Sequence, residues 1–292
     1  MTRQADGIAI AHTGLIRVER ADPSNAPGPS AIETIDLTCR FGELTAVDHL
    51  NLVVPRGIIF GLLGPNGAGK STTIKMLTTL LRPSAGTARV AGFDVLTAPR
   101  AVRRHIGYVP QLLSADGALT GIENLRLSAT LYGVPVGEVR ARIDEAVRFM
   151  GLEDAAKRLV RTYSGGMIRR LELAQVMLHR PAVLFLDEPT IGLDPVARSS
   201  VWERLVELQK HHGATVFLTT HDMEEAEVLC NELAIMHEGR IAGLGTPQGL
   251  KASVGPEATL NDVFAHYSGG AISEAGDYRN VRSTRSTIQR LG

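Results

Sequence analysis

The spacing of apolar residues changes period several times along this chain. Residues 45–54 alternate apolar and polar, which predicts a half-buried strand. Residues 57–63 form a short unbroken apolar run bounded by a glycine, the pattern of a strand buried on both faces. Residues 70–81 repeat at helical spacing and stop before Pro83, and residues 106–109 predict another short strand. From 119 to 159 the pattern turns helical, with Val139, Ile143, Val147 and Met150 at steps of three and four. Alternation then resumes: helix 167–178, strand 183–186, helix 195–210, strand 215–219, helix 223–230, then strands 233–237 and 240–244. Strands alternating with helices predict an α/β layered protein with a mostly parallel sheet, interrupted by a helical insertion of about 45 residues. No internal repeat is found.

The punctuation places the boundaries. Residues 21–30 are rich in Pro, Ser and Asn and read as a linker, so residues 1–30 form an N-terminal arm and linker. From Gly269 the chain is rich in Ser, Arg and Gly, which predicts a disordered or loosely attached tail over 269–292. The compact body is then 31–268.

Composition narrows the class. Of 292 residues 44% are hydrophobic, ample for a buried core. The 31 basic and 31 acidic residues cancel, which argues against a dedicated nucleic-acid binder. Two cysteines, Cys39 and Cys230, cannot form a disulfide framework and read as small core residues. No segment reaches the roughly 18 apolar residues that span a bilayer. The apolar stretch at 7–12 is too short and polar for a signal peptide, so any dealings with a membrane are expected to be peripheral.

The chemistry begins at Gly64-Pro65-Asn66-Gly67-Ala68-Gly69-Lys70-Ser71, which fills every fixed position of a phosphate-binding loop between a predicted strand and a predicted helix. Its glycines let backbone N–H groups converge on a phosphate, and the following helix adds unpaired donors and a positive dipole end. Lys70 can reach the β- and γ-phosphates, Ser71 can offer its hydroxyl to Mg²⁺, and Thr72 is placed for the α-phosphate. The apolar run 183–186 ends in Asp187 and Glu188. Such a strand delivers Asp187 to the carboxyl edge of the sheet, beside the phosphate loop, to hold the Mg²⁺ shell. Glu188 can orient or deprotonate an attacking water.

Further segments narrow the field. Ser164-Gly165-Gly166 stands just before a helix, and Gly192-Leu193-Asp194-Pro195 follows the acidic pair. Gln111 follows Tyr108-Val109-Pro110, His221 lies in Thr219-Thr220-His221-Asp222, and Phe41 lies in Arg40-Phe41-Gly42. Taken alone, Ser164 reads as a helix N-cap and Phe41 as core packing. Taken in order with the two features above, the set resembles the ATP-binding subunit of an ABC transporter, from 31 to about 250.

That resemblance implies a P-loop NTPase (RecA-like) core with a mostly parallel sheet, an antiparallel β part on the N-terminal side, and an inserted α-helical subdomain at about 112–163. A C-terminal helical extension at 251–268 would follow. ATP would be held by Phe41, by Gly64 through Thr72, and by Ser164, Gly165 and Gly166 of an opposite subunit in a head-to-tail homodimer. Mg²⁺ would be held by Ser71, Gln111 and Asp187. Lys70, Gln111, Glu188 and His221 would carry the hydrolysis, with His221 as the γ-phosphate sensor. The helical subdomain would rotate with Gln111 and push on a membrane-spanning permease, which puts the protein at the cytoplasmic face of the membrane.

The chain departs from the commonest signature, Leu-Ser-Gly-Gly-Gln, at Tyr163 and Met167, and Ile191 stands where a serine is common. Tyr163 through Met167, then Arg169-Arg170 and Leu171-Glu172-Leu173-Ala174, are similar to the daunorubicin-resistance branch of exporters, as is Thr259 through Phe264. In that branch the ATPase pairs with a separate permease of the ABC-2 type. A soluble ATPase of cluster assembly and a nucleotide binder without turnover are the alternatives. Arg279, Arg282, Arg285 and Arg290 could approach anionic lipid, Arg100, Arg103 and Arg104 read as a solvated helix face, and Trp202 reads as core.

Overall fold

The computed structural model describes residues 16–17 and 30–268. In chain order its elements are β1 (Ile16–Arg17), β2 (Ser30–Phe41), β3 (Leu44–Pro55), β4 (Ile59–Leu63), α1 (Lys70–Leu77), β5 (Ala85–Val90), β6 (Phe93–Asp94), α2 (Pro99–His105), β7 (Ile106–Val109), α3 (Gly121–Leu131), α4 (Val136–Phe149), α5 (Gly165–Met177), β8 (Val183–Asp187), α6 (Pro195–His212), β9 (Thr215–Thr220), α7 (Met223–Leu229), β10 (Glu232–His237), β11 (Arg240–Gly245), α8 (Pro247–Val254) and α9 (Leu260–Tyr267). The rest of the expected N-terminal arm, and the expected tail with its four arginines, lie outside the described residues.

Two sheets form. The larger runs β1-β11-β10-β4-β9-β8-β7 among the described residues, and β10, β4, β9, β8 and β7 are mutually parallel. The smaller, β3-β2-β5-β6, is antiparallel throughout. The parallel strands carry apolar side chains on both faces because each face is covered. Ile59 and Leu63 of β4, Leu184 and Leu186 of β8, and Val216 and Leu218 of β9 enter the core that also holds α3 to α6. Phe60, Leu62, Phe185 and Phe217, one residue out of phase, enter a second core under the antiparallel sheet and α1. There Phe217 lies 5.5 Å from Phe60 and 5.6 Å from Phe185 between ring centroids. Each such buried side chain stabilises the fold by about 1.5–3 kcal/mol relative to exposure. Cys39 and Cys230 are buried and free, and burial pushes both thiols up.

Three elements differ from their sequence patterns. The helix expected over 70–81 ends at Leu77: Thr78 Oγ1 donates to Ile74 O at 2.8 Å, and Thr79 turns left-handed at φ 63°. The helical stretch 119–159 is two helices, parted where Gly133 adopts φ 68° ahead of Pro135. In the paired strands β2 and β3 the alternation slips at the left-handed residues Asp36 (φ 47°) and His49 (φ 49°), with register shifts nearby. The last helix, α9, is opened by a Thr259–Asp262 capping box and buries Leu260, Val263 and Phe264. No helix among the described residues is long and apolar enough to cross a membrane.

Candidate functional site

The register of three parallel strands builds the site. Leu63 of β4 pairs with Thr220 of β9, and Thr219 of β9 pairs with Asp187 of β8. The residues that follow each strand therefore emerge side by side at one edge, where open α/β sheets bind ligands. Gly64 continues this order by donating its backbone N–H to Thr220 O at 3.2 Å.

The turn from β4 into α1 depends on glycine at particular positions. Gly69 adopts φ 107°, and a Cβ there would collide with Ala46 O, while one at Gly64 would collide with Met236 O. Within the turn Pro65 O accepts from Ala68 N, and Ala68 O accepts from Gly239 N in the β10–β11 turn at 3.0 Å. Asn66 and Gly67 are exposed, as a loop that meets a ligand requires. The start of α1 has no side-chain cap, so its first N–H groups are open to an anion. Thr72 is half-buried in that first turn.

Lys70 is 4% exposed, and its ammonium donates to Gly64 O at 2.7 Å and Pro65 O at 3.2 Å. It also sits 3.1 Å from Glu188 Oε1. The other carboxylate oxygen of Glu188 lies 3.1 Å from His221 Nδ1, so Glu188 bridges the two. Glu188 is left-handed at φ 49°, at a cost of about 1–2 kcal/mol for a residue with a Cβ. Its backbone N–H, donated to Thr219 O at 3.1 Å, holds that turn. Thr219 Oγ1 and Ser71 Oγ both donate to Asp187 Oδ1, at 2.6 and 3.0 Å. Burial, reinforced by the charge of Asp187, pushes the Tyr108 phenol up to about 12, so it stays neutral. A hydroxyl beside a carboxylate is an all-oxygen donor set that fits Mg²⁺.

A cleft of about 450 Å³, open solvent included, continues from Glu188 past Thr190, Gly192, Arg198 and His221 to Glu225. Glu225 accepts from Thr190 Oγ1 at 2.7 Å and Trp202 Nε1 at 3.0 Å, and burial pushes its carboxyl up. Asp194 caps α6, and Arg198 on the next turn reaches Asp222 at 2.7 Å. Trp202 is buried as expected, but it also carries this polar contact. Ile191 is exposed beside the cleft.

The remaining sequence-predicted residues lie apart from this cluster. Phe41 is 50% exposed at the end of β2, which corrects the core-packing alternative: the strand ends there and leaves the ring uncovered. Ser164 caps α5 by accepting from Met167 N at 3.3 Å and is exposed, with Gly165 half-buried and Gly166 buried behind it. A Cβ on Gly166 would meet Ala197 Cβ at 2.7 Å, so this end of α5 packs on α6. Tyr163 is buried and donates to Ala155 O at 2.7 Å, and Met167 packs against the core. Gln111 is exposed; among the described residues no hydrogen bond ties its side chain to Ser71 or Asp187. Sequence reasoning missed Thr190, Arg198, Thr219 and Glu225, although Thr219 stands only two residues before His221.

A parallel sheet with a phosphate loop at its carboxyl edge and an acidic strand end beside it defines a P-loop nucleotide-binding protein. Residues 47–191 match the family model described as ABC transporter. The daunorubicin/doxorubicin resistance ATP-binding protein DrrA of Streptomyces peucetius is 48% identical over 231 residues, 79% of this chain and 70% of that protein. The Nod factor export ATP-binding protein I of Ralstonia nicotianae is 44% identical over 229 residues, 77% of this chain and 71% of the relative. A solved structure of an ATP-binding subunit of an ABC transporter superposes with TM-score 0.73 at 32% identity, covering 82% of this chain and all of that one. The cbiO1 structure from Clostridium perfringens, part of the cbiONQ transporter complex, gives 0.69 at 30% identity, over 76% and 91%. The chain belongs to the ABC transporter family, as an ATP-binding subunit.

Proposed function

We propose that this chain hydrolyses ATP to energise export of a drug or other hydrophobic compound through a separate permease of the ABC-2 type. The observation that carries the reading is the meeting of Lys70, Glu188 and His221 at one edge of the sheet, beside Ser71 and Asp187. The relatives named for daunorubicin resistance and Nod factor export support export as the direction.

The backbone N–H groups of Gly64 to Thr72 hold the triphosphate, Phe41 stacks on the adenine, and Lys70 turns from Glu188 to the β- and γ-phosphates. Ser71, Gln111 and Asp187 would hold Mg²⁺, which when bound would neutralise charge on the phosphate oxygens. Glu188 takes a proton from water as the water oxygen bonds to the γ-phosphorus. The bond to the bridging oxygen breaks and ADP leaves with the electron pair. His221 holds Glu188 in place and senses the γ-phosphate.

Ser164, Gly165 and Gly166 of a second copy close over the same nucleotide. The γ-phosphate favours that closed dimer, and hydrolysis removes the contact. The helical insertion, with Leu112 81% and Val136 93% exposed, is the surface we assign to the permease at the membrane. Glu188→Gln tests the scheme. It should spare ATP binding, lengthen the life of the ATP-bound dimer on size exclusion, and slow phosphate release by about 10²-fold or more. Wild-type turnover in that variant refutes the assignment of Glu188 as base.

A further inference from the structure

The helix α5 carries a buried ion pair that the scheme above does not use. Arg169 and Glu172 are each 2% exposed, and Arg169 Nη1 lies 2.9 Å from Glu172 Oε2. The other hydrogen bonds of the pair all go to one short segment, and Arg169 Nε is left buried without a partner. Arg169 Nη1 donates to Pro110 O and Nη2 to Gln111 O, both at 2.8 Å. Glu172 Oε1 accepts from the backbone N–H of Ser114 and from its hydroxyl, the latter at 3.0 Å. The guanidinium thus grips the start of segment 110–114 and the carboxylate grips its end. Between them Leu112 and Leu113 stand exposed.

Burying two charges is costly, and an apolar pair of equal volume fills a core as well or better. What the ionic pair adds is direction: a planar fork matched to two carbonyls and a carboxylate matched to an N–H. The same helix opens at Ser164-Gly165-Gly166, and an α-helix moves as a rigid rod. A shift of its N-terminus therefore reaches the backbone of Gln111 through Arg169.

We propose that Arg169 and Glu172 are positioning residues that lock segment 110–114 to α5. The end of α5 offered to the neighbouring copy's nucleotide and the Gln111 that serves this copy's own nucleotide then move as one body. The inference rests on the proposed role of Gln111, and the experiment separates the two.

The variant R169M/E172L keeps an apolar filling, and R169K keeps the charge but loses the two-pronged grip. Both are compared with Q111A and with the triple variant R169M/E172L/Q111A, by ATP titration, steady-state turnover and thermal melting. R169M/E172L should melt at or above the parent temperature and bind ATP within about two-fold of it, yet lose about ten-fold in kcat. R169K should lose kcat in the same direction but less. Adding Q111A to R169M/E172L should cost little more, because the glutamine is already misplaced. Full kcat in R169K and in a folded R169M/E172L, beside a clear loss in Q111A, overturns the positioning role and leaves the Gln111 reading standing. So does full additivity in the triple variant. Full kcat in Q111A itself overturns the Gln111 reading, and the positioning role with it.

Discussion

The proposed function assigns a phosphate to the N-termini of two helices, and they are built in opposite ways. The start of α1 follows a left-handed glycine, has no side-chain cap, and brings a buried lysine whose charge is answered by Glu188. The start of α5 is capped by its own Ser164, lies in the open, and has no charged residue in its first turn. The first leaves backbone donors for a ligand and surrounds them with charge. The second keeps its cap internal and offers only a hydroxyl and two glycines. On the proposed function, one chain therefore holds a nearly complete phosphate site and a fragment of another.

Three substitutions probe that contrast, in falling order of effect. Lys70→Ala should weaken ATP binding by about 10–100-fold, as expected for loss of a charged contact, and also strips Glu188 of its partner. Titration with a fluorescent nucleotide reads this, and unchanged affinity would remove the special status of α1. Ser164→Ala should leave the affinity of the isolated chain alone. It should cost α5 about 1 kcal/mol of capping and lower turnover by about ten-fold under conditions where copies pair. If Ser164→Ala weakened single-chain binding as much as Lys70→Ala, the two helix ends would not differ in kind.

The smallest effect lies in the cleft that continues from Glu188. Burial pushes the Glu225 carboxyl above the ordinary glutamate range. A raised value means the fold prefers the neutral acid. The stability this provides is complete below the unfolded value and is lost as pH rises through the folded one. Glu225→Gln removes that loss. It should melt about 2 °C above the parent near pH 8, with the gap closing toward about pH 4. A gap that widened on acidification would reverse the sign and place the charged form in the fold.

The parallel core is legible in the sequence because its strands are buried on both faces and read as unbroken apolar runs, as in β4 and β8. The antiparallel sheet is harder to read. Strand β2 buries Ile32 and Thr34, then Leu37 and Cys39, so the left-handed Asp36 between them breaks the period of two. Helix α2 buries only Val102, and its arginines show a solvated face and little else. The same distinction holds in the site. Lys70, Ser71, Asp187, Glu188 and His221 stand out because each ends a strand or opens a helix within a short motif. The grip of Thr219 on Asp187 spans 32 residues, that of Thr190 on Glu225 spans 35, and that of Ser114 on Glu172 spans 58. No local pattern encodes such contacts.

The bridge made by Glu188 has one more implication. Its carboxylate is engaged at both oxygens, by an ammonium and by an imidazole. In the proposed scheme a triphosphate draws Lys70 away, uncouples one of them and frees that oxygen for water. On the proposed function, this bridge is an interlock, in which the proton acceptor is armed by the arrival of the molecule it helps to split.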